Sequence, residues 1–347
     1  MTDQSNSEQR IGEVLAAHGV SRRQFLKMCG VLAATLALPV AEFSAFAQAV
    51  AAATRPRVIW LEFQDCTGDS ESFLRAFRRA DPLSAGVTDP GIVDLLLDTI
   101  SLDYHETLMT PSGTLAEKSR NDTLTNYAGQ YIAVVEGSIP AARNGVYCTI
   151  GGRTALSIAQ EVCSKAKATI TVGSCGWDGG LPAARPNPTG AVGVKNAVPG
   201  LQNLVSLPGC PANVVNIVAT IVYIVSYNRL PPLDGSQRPT FAYGKGVHEQ
   251  CERLQFNERD QYVRMWGDAG HRQGWCLEEM GCKGPDTRSN CPVVKWVDGT
   301  CWPIAAGHGC IGCTNAGFWD RMTPFYTSHG HKLRFFKSLK VQGQQRI

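Results

Sequence analysis

From residue 57 to about 232 the chain alternates short apolar runs with amphipathic stretches and glycine-rich turns. Val58-Ile59-Trp60-Leu61-Glu62-Phe63, Tyr131-Ile132-Ala133-Val134-Val135, Ala168-Thr169-Ile170-Thr171-Val172 and Leu204-Val205-Ser206-Leu207 have the length and β-branched content of buried strands. Between and after them, residues 71–79, 153–165 and 213–227 show helical spacing, the first behind an acidic start. Strands that alternate with helices predict a parallel sheet covered on both faces, an open doubly wound α/β fold. Ligands of such sheets bind beyond the carboxyl ends of the strands. Cys66, Cys175 and Cys210 each follow one of these runs within three residues, so all three are expected at one edge of the sheet.

Beyond Pro231-Pro232-Leu233-Asp234-Gly235 the periodicity fades, while Gly, Pro and Trp stay frequent and seven of the thirteen cysteines appear. A segment so poor in regular structure needs bound cofactors to hold it. The expected organisation is an extension over 1–50, a sheet domain over 55–234 and an irregular C-terminal domain over 235–347.

Composition narrows the function. A net charge of +3, with no basic stripe, argues against nucleic acid as a partner. Thirteen cysteines in 347 residues are too many for chance, and an odd number disfavours a pure disulfide framework. Metal or iron-sulfur ligation is the better account.

At the N-terminus, Ser21-Arg22-Arg23-Gln24-Phe25-Leu26-Lys27 precedes an apolar stretch to Pro39 and then Ala45-Phe46-Ala47. Charged region, apolar region and small-residue cleavage site are the parts of an export signal, here resembling the twin-arginine type. Such a signal places the protein in the periplasm or at a membrane. An uncleaved arm would leave it in the cytoplasm. No later run reaches ~18 apolar residues, and the tail, Lys332 to Ile347, is too basic to anchor in a bilayer.

His248 and Cys251 stand three apart, so both reach one centre. Cys276 and Cys282 follow, then Cys291, Cys310 and Cys313, the last two as Cys-Ile-Gly-Cys. On spacing alone, zinc and iron-sulfur both remain open.

The order of motifs carries more. Cys66-Thr67-Gly68-Asp69, Pro186-Asn187-Pro188-Thr189-Gly190, Pro208-Gly209-Cys210-Pro211, His248-x-x-Cys251, Cys276-x5-Cys282-Lys-Gly-Pro and Gly307-His308-Gly309-Cys310-Ile311-Gly312-Cys313 occur in sequence. Together they resemble the small subunit of nickel-iron hydrogenases from Arg57 to about Asp320. Asp69 stands where most members have a second cysteine, a form that resembles the actinobacterial-type, oxygen-insensitive group. The extra loop cysteine of oxygen-tolerant membrane-bound members is missing, with Gly68 in this loop instead.

The resemblance implies a flavodoxin-like sheet domain followed by a cofactor-stabilised iron-sulfur domain. It implies a proximal [4Fe-4S] cluster on Cys66, Asp69, Cys175 and Cys210, and a distal [4Fe-4S] cluster on His248, Cys251, Cys276 and Cys282. A medial [3Fe-4S] cluster would use Cys291, Cys310 and Cys313, with Pro303 near its vacant corner. Cys301 could supply a fourth medial ligand. Glu71 is a candidate proton or contact residue toward the partner, or a charge for its helix dipole. Asp69 could equally cap that helix. Cys148 and Cys163 read as packed thiols; Trp60, Trp275 and Trp302 read as packing around the clusters.

The family's nickel site needs two Cys-x-x-Cys pairs, and this chain has one, Cys310-Ile311-Gly312-Cys313, committed elsewhere. The expected partner is a large subunit with the Ni-Fe site, in heterodimers that assemble further and pass electrons to an external acceptor. The rival readings are a cluster-bearing component of a complex I-like quinone reductase and a zinc-stabilised binding module.

Overall fold

The computed structural model describes residues 9–74, 100–296 and 299–327. The chain divides into two compact units, Met1–Gly244 and Lys245–Ile347. Residues 235–244 fall in the first unit, not the second, because Ala242 and Tyr243 are buried in its core and the Tyr243 hydroxyl donates to the Pro208 carbonyl at 2.8 Å.

Five strands build the central sheet of the first unit: β1 (Arg57–Glu62), β2 (Ser101–His105), β3 (Tyr131–Glu136), β4 (Ala168–Val172) and β5 (Leu204–Leu207). They pair in parallel in the order β2-β1-β3-β4-β5, the flavodoxin-like arrangement. Four of them are the predicted runs. The edge strand β2 was not legible, because its Asp103 is polar and turns to accept from Arg57 at 2.9 Å.

Pairing aligns Glu62 with Glu136, Glu136 with Val172, and Val172 with Leu207. One row of residues therefore ends four strands together, and the loops with Cys66, Cys175 and Cys210 all leave from that row.

Period-two alternation sends successive strand residues to opposite faces. Ile59, Leu61, Ala133 and Val135 pack on one side with α6 (Ala155–Lys165) and Leu124 of α5 (Thr114–Asn126). Val58, Trp60, Ile132, Val134, Ile170 and Val205 pack on the other with α8 (Val214–Tyr227). Two short helices, α4 (Gly68–Leu74) and α7 (Gly173–Asp178), begin at the cysteine edge. Residues 75–79 of the helix expected after Glu71 lie outside the described residues, as does the tail.

The N-terminal extension is folded. Helices α1 (Ile11–Ala17), α2 (Arg22–Thr35) and α3 (Phe43–Ala52) bury Leu15, Cys29, Leu32, Phe46 and Val50 in the same core as α8. This explains why α8 is apolar all round: it lies between the sheet and these helices.

The second unit contains only three- and four-residue helical turns and isolated bridges among its described residues. Its small core, Val247, Val263, Leu277, Met280, Trp302 and Ile304, packs directly against Cys251, Cys282, Cys291 and Cys310. The cysteines replace much of the aliphatic mass a core this size would otherwise need. No helix among the described residues is long and apolar enough to cross a membrane.

Candidate metal centres

The loop after β1 is fixed by a carboxylate from the neighbouring strand. Glu136, fully buried at the end of β3, accepts the Asp69 N–H at 2.9 Å and the Ser70 N–H at 3.0 Å. It also accepts the Ser70 hydroxyl at 2.6 Å and the Trp60 indole N–H at 3.1 Å. These are the orphan amides at the start of α4, so the cap that Asp69 could have supplied comes from Glu136.

Asp69 is thereby freed for another task. Its side chain is buried, and Oδ1 accepts the Ala212 N–H at 2.5 Å, two residues beyond Cys210. Burial, reinforced by the Glu136 charge, pushes its carboxyl well above the usual range. Thr67, at φ 58°, makes the turn between Cys66 and Asp69, with its N–H bonded to Asp65 at 2.9 Å.

The other two loops lock onto each other. Ser174 donates its N–H to the Gly209 carbonyl at 2.7 Å, and its hydroxyl oxygen accepts the Gly209 N–H at 3.1 Å. Cys175 and Cys210 follow directly. Burial raises the Cys175 thiol to about 12, with Cys210, Asp69 and Cys66 adding to the rise. Burial raises Cys210 to about 11, again with Asp69 and Cys66 contributing. Cys66, Asp69, Cys175 and Cys210 are thus close enough to act on one another electrostatically, and the Cys175 and Cys210 thiols would resist ionising unless a cation met them.

In the second unit, His248, Cys251, Cys276 and Cys282 line one cavity with Leu277, Pro285 and Ile304. Backbone amides already point at the sulfurs: Arg253 N–H at Cys251 (3.4 Å), and both Gly284 N–H (3.4 Å) and Cys310 N–H (3.3 Å) at Cys282. Cys310 is half-buried; burial, with Cys282, Cys313 and Cys291 nearby, pushes its thiol well above the usual range, and its sulfur faces the Gly312 N–H at 3.4 Å. N–H donors aimed at sulfur fit thiolate-ligated clusters.

Among the described residues, the only three donor atoms within 4.8 Å of one another belong to Glu62, Asp65 and Glu136. The carboxylate trio is structural, since both Glu136 oxygens already accept N–H and O–H donors.

Other residues fall outside these sets. Glu71 is exposed on α4. The half-buried Cys301 thiol bonds the Trp302 carbonyl at 3.6 Å, and Pro303 is exposed. Cys163 is buried in the core and Cys148 half-buried. Trp302 packs in the second core with Trp275 beside it, whereas Trp60 packs on Phe73 and His105. Sequence reasoning missed Glu136, Ser174 and Gly173. A lone acid closing a wholly apolar strand was the available signal for the first.

A flavodoxin-like sheet with cysteines along one edge, followed by an irregular unit built around further thiol sets, defines an iron-sulfur subunit of an oxidoreductase. Residues 243–326 match the family of the C-terminal region of NiFe/NiFeSe hydrogenase small subunits, and 66–224 match the family of the NADH ubiquinone oxidoreductase 20 Kd subunit. The periplasmic [NiFe] hydrogenase small subunit 1 of Nitratidesulfovibrio vulgaris is 44% identical over 317 residues, 91% of this chain and 96% of that protein. The Ni-Fe-Se hydrogenase of Desulfomicrobium baculatum aligns with a TM-score of 0.70 at 31% identity, over 79% of this chain and 100% of its own. The actinobacterial-type NiFe-hydrogenase of Ralstonia eutropha H16 aligns at 0.68 and 23% identity, over 84% of this chain and 90% of its own, which shows the fold alone. The chain belongs to the small subunits of nickel-iron hydrogenases. It is the electron-transfer subunit of a hydrogen-oxidising heterodimer, carries iron-sulfur clusters and pairs with a large subunit that holds the Ni-Fe site.

Proposed function

We propose that electrons from hydrogen enter this subunit at a four-iron cluster held by Cys66, Cys175, Cys210 and Asp69. They then pass a three-iron centre on Cys291, Cys310 and Cys313 and leave through a four-iron centre on His248, Cys251, Cys276 and Cys282. When bound, such clusters supply reversible one-electron carriers. The observation that carries the reading is the cavity lined by all four distal ligands, with amides directed at their sulfurs.

Each residue type has a share in the tuning. His248 is neutral where a fourth thiolate would be negative, which raises the potential at the exit. Asp69 keeps a negative charge but offers hard oxygen, which iron binds less covalently than sulfur. With Oδ1 tied to Ala212, Oδ2 is the oxygen left for iron. Trp302 and Ile304 keep the distal and medial thiols dry. The Cys301 bond to a carbonyl supports leaving it out of the medial set.

The Asp69 form groups this enzyme with the actinobacterial type, and the heterodimers assemble into a higher oligomer that delivers electrons to an external carrier. The twin-arginine-like motif and the periplasmic relative support export to the periplasm or its membrane face. Metal content of the complex isolated natively through this chain tests the reading. About eleven irons in this subunit, with one iron and one nickel in its partner, are expected. Iron without nickel would favour the complex I-like alternative, and zinc alone would refute both.

A further inference from the structure

The segment with the arginine pair does not hang free of the folded domain. α2 starts inside the motif: Ser21 accepts the Gln24 N–H at 3.3 Å, and the Gln24 side chain accepts the Ser21 N–H at 2.8 Å. Arg22, Arg23 and Lys27 are exposed, and Leu26 is 37% exposed. One turn further the helix goes inside, with Met28, Cys29, Leu32 and Ala33 buried.

α3 contains the whole Ala45-Phe46-Ala47 stretch, and Phe46, Ala47 and Val50 are buried in it. The Phe46 ring stacks on Tyr227 of α8 with centroids 6.1 Å apart. The segment is tied at its base as well, by Ile11 N–H to the Ala53 carbonyl at 2.9 Å and Arg55 N–H to the Gln9 carbonyl at 3.0 Å. Recognition residues and cleavage residues thus differ in access: Arg22 and Arg23 face water, whereas Phe46 and Ala47 sit inside a helix against the core, with Ala45 and Gln48 on its exposed side.

We infer that the leader is a clamp on its own passenger: docked on α8, it displays the arginine pair and withholds residues 45–47 from cleavage until α3 leaves α8. A peptidase takes an extended, exposed strand of several residues, and a packed helix offers none. Once α3 is released, water is added across the Ala47–Gln48 amide by the processing peptidase, giving the Ala47 carboxylate and a free Gln48 amine. The order that follows is recognition first and maturation second, set by packing within this chain. The inference rests on reading Ser21–Lys27 as an export signal.

The test uses the leader-bearing heterodimer. Hydrogen exchange at residues 46–50 should be slowed at least about a hundredfold relative to an unstructured chain. The wild-type complex should be cut slowly after Ala47 by the host's leader peptidase. Phe46→Glu, from the leader side, and Tyr227→Asp, from the passenger side, should each speed that cut at least about tenfold. Unchanged iron content shows that the variants remain folded. Free-peptide exchange at 46–50, or wild-type cleavage rates in both folded variants, would overturn the clamp. Persisting export of an Arg22→Lys, Arg23→Lys double variant refutes the signal reading instead, which is measured separately.

Discussion

Asp69 occupies the space that a side chain at position 173 would need. A Cβ built on Gly173, which sits at φ 77°, would collide with Asp69 Oδ2. The first residue of α7 and the cluster-loop aspartate are therefore one unit, although they come from different strands.

Gly173→Ala should push Asp69 off the Ala212 amide and strain the backbone at position 173. A cost of about 2–4 kcal/mol combines overpacking with the left-handed conformation. The proximal electron paramagnetic resonance signal should change while the distal and medial signals persist.

Asp69→Cys should give the proximal centre four thiolates and alter both its spectrum and its potential. Asp69→Ala should lose one iron per subunit, as counted against protein by elemental analysis. An unchanged spectrum in Asp69→Cys would show that Asp69 does not bind iron.

Glu136→Gln removes the charge that gathers two backbone amides, a hydroxyl and an indole N–H. Charge-assisted bonds of this kind are each worth about 1.5–3 kcal/mol. The variant should melt at lower temperature and lose proximal iron first, followed by calorimetry and iron content of the complex.

His248→Cys adds a negative charge at the exit centre, so its potential should fall by on the order of 100 mV. Redox titration of the distal signal reads the shift directly. A medial potential that moved as far would show that the two centres are not separately tuned.

Glu106 gives a pH prediction. Burial is the main cause that raises its carboxyl to about 8 from 4.5, with the Glu62 charge adding to the rise and two backbone N–H bonds opposing it. The fold therefore holds a proton that the unfolded chain releases. Its contribution is complete below pH 4.5 and is lost as pH rises through 8. Over that window wild type should lose stability relative to Glu106→Gln by roughly 1.4 kcal/mol per pH unit at most. Melting temperatures of both complexes between pH 5 and 9 check the sign.

Much of this could be read from residue order. Ala168–Val172 and Leu204–Leu207 are strands to the residue, because buried parallel strands are continuous apolar runs with clear stops. The cysteine edge followed from the same runs. Ser101–His105 escaped because an edge strand satisfies one side with polar partners and loses the apolar pattern. Glu136 escaped because its role depends on Asp69 and Ser70, more than sixty positions earlier, which no local spacing records. The segment from Ser21 to Ala47 carries the pattern of an export signal, but its packing on α8 was not legible, because an apolar run looks the same whether it meets lipid, a peptidase or α8.

The proposal puts Cys282 and Cys310 in different ligand sets, yet the Cys310 amide bonds the Cys282 sulfur at 3.3 Å while the Lys283 amide bonds the Cys310 carbonyl at 2.7 Å. Each loop completes the other's hydrogen bonding. On the proposed assignment, the four-iron and three-iron centres of this unit share these bonds, so biogenesis that supplied one without the other is expected to leave both loops half-built.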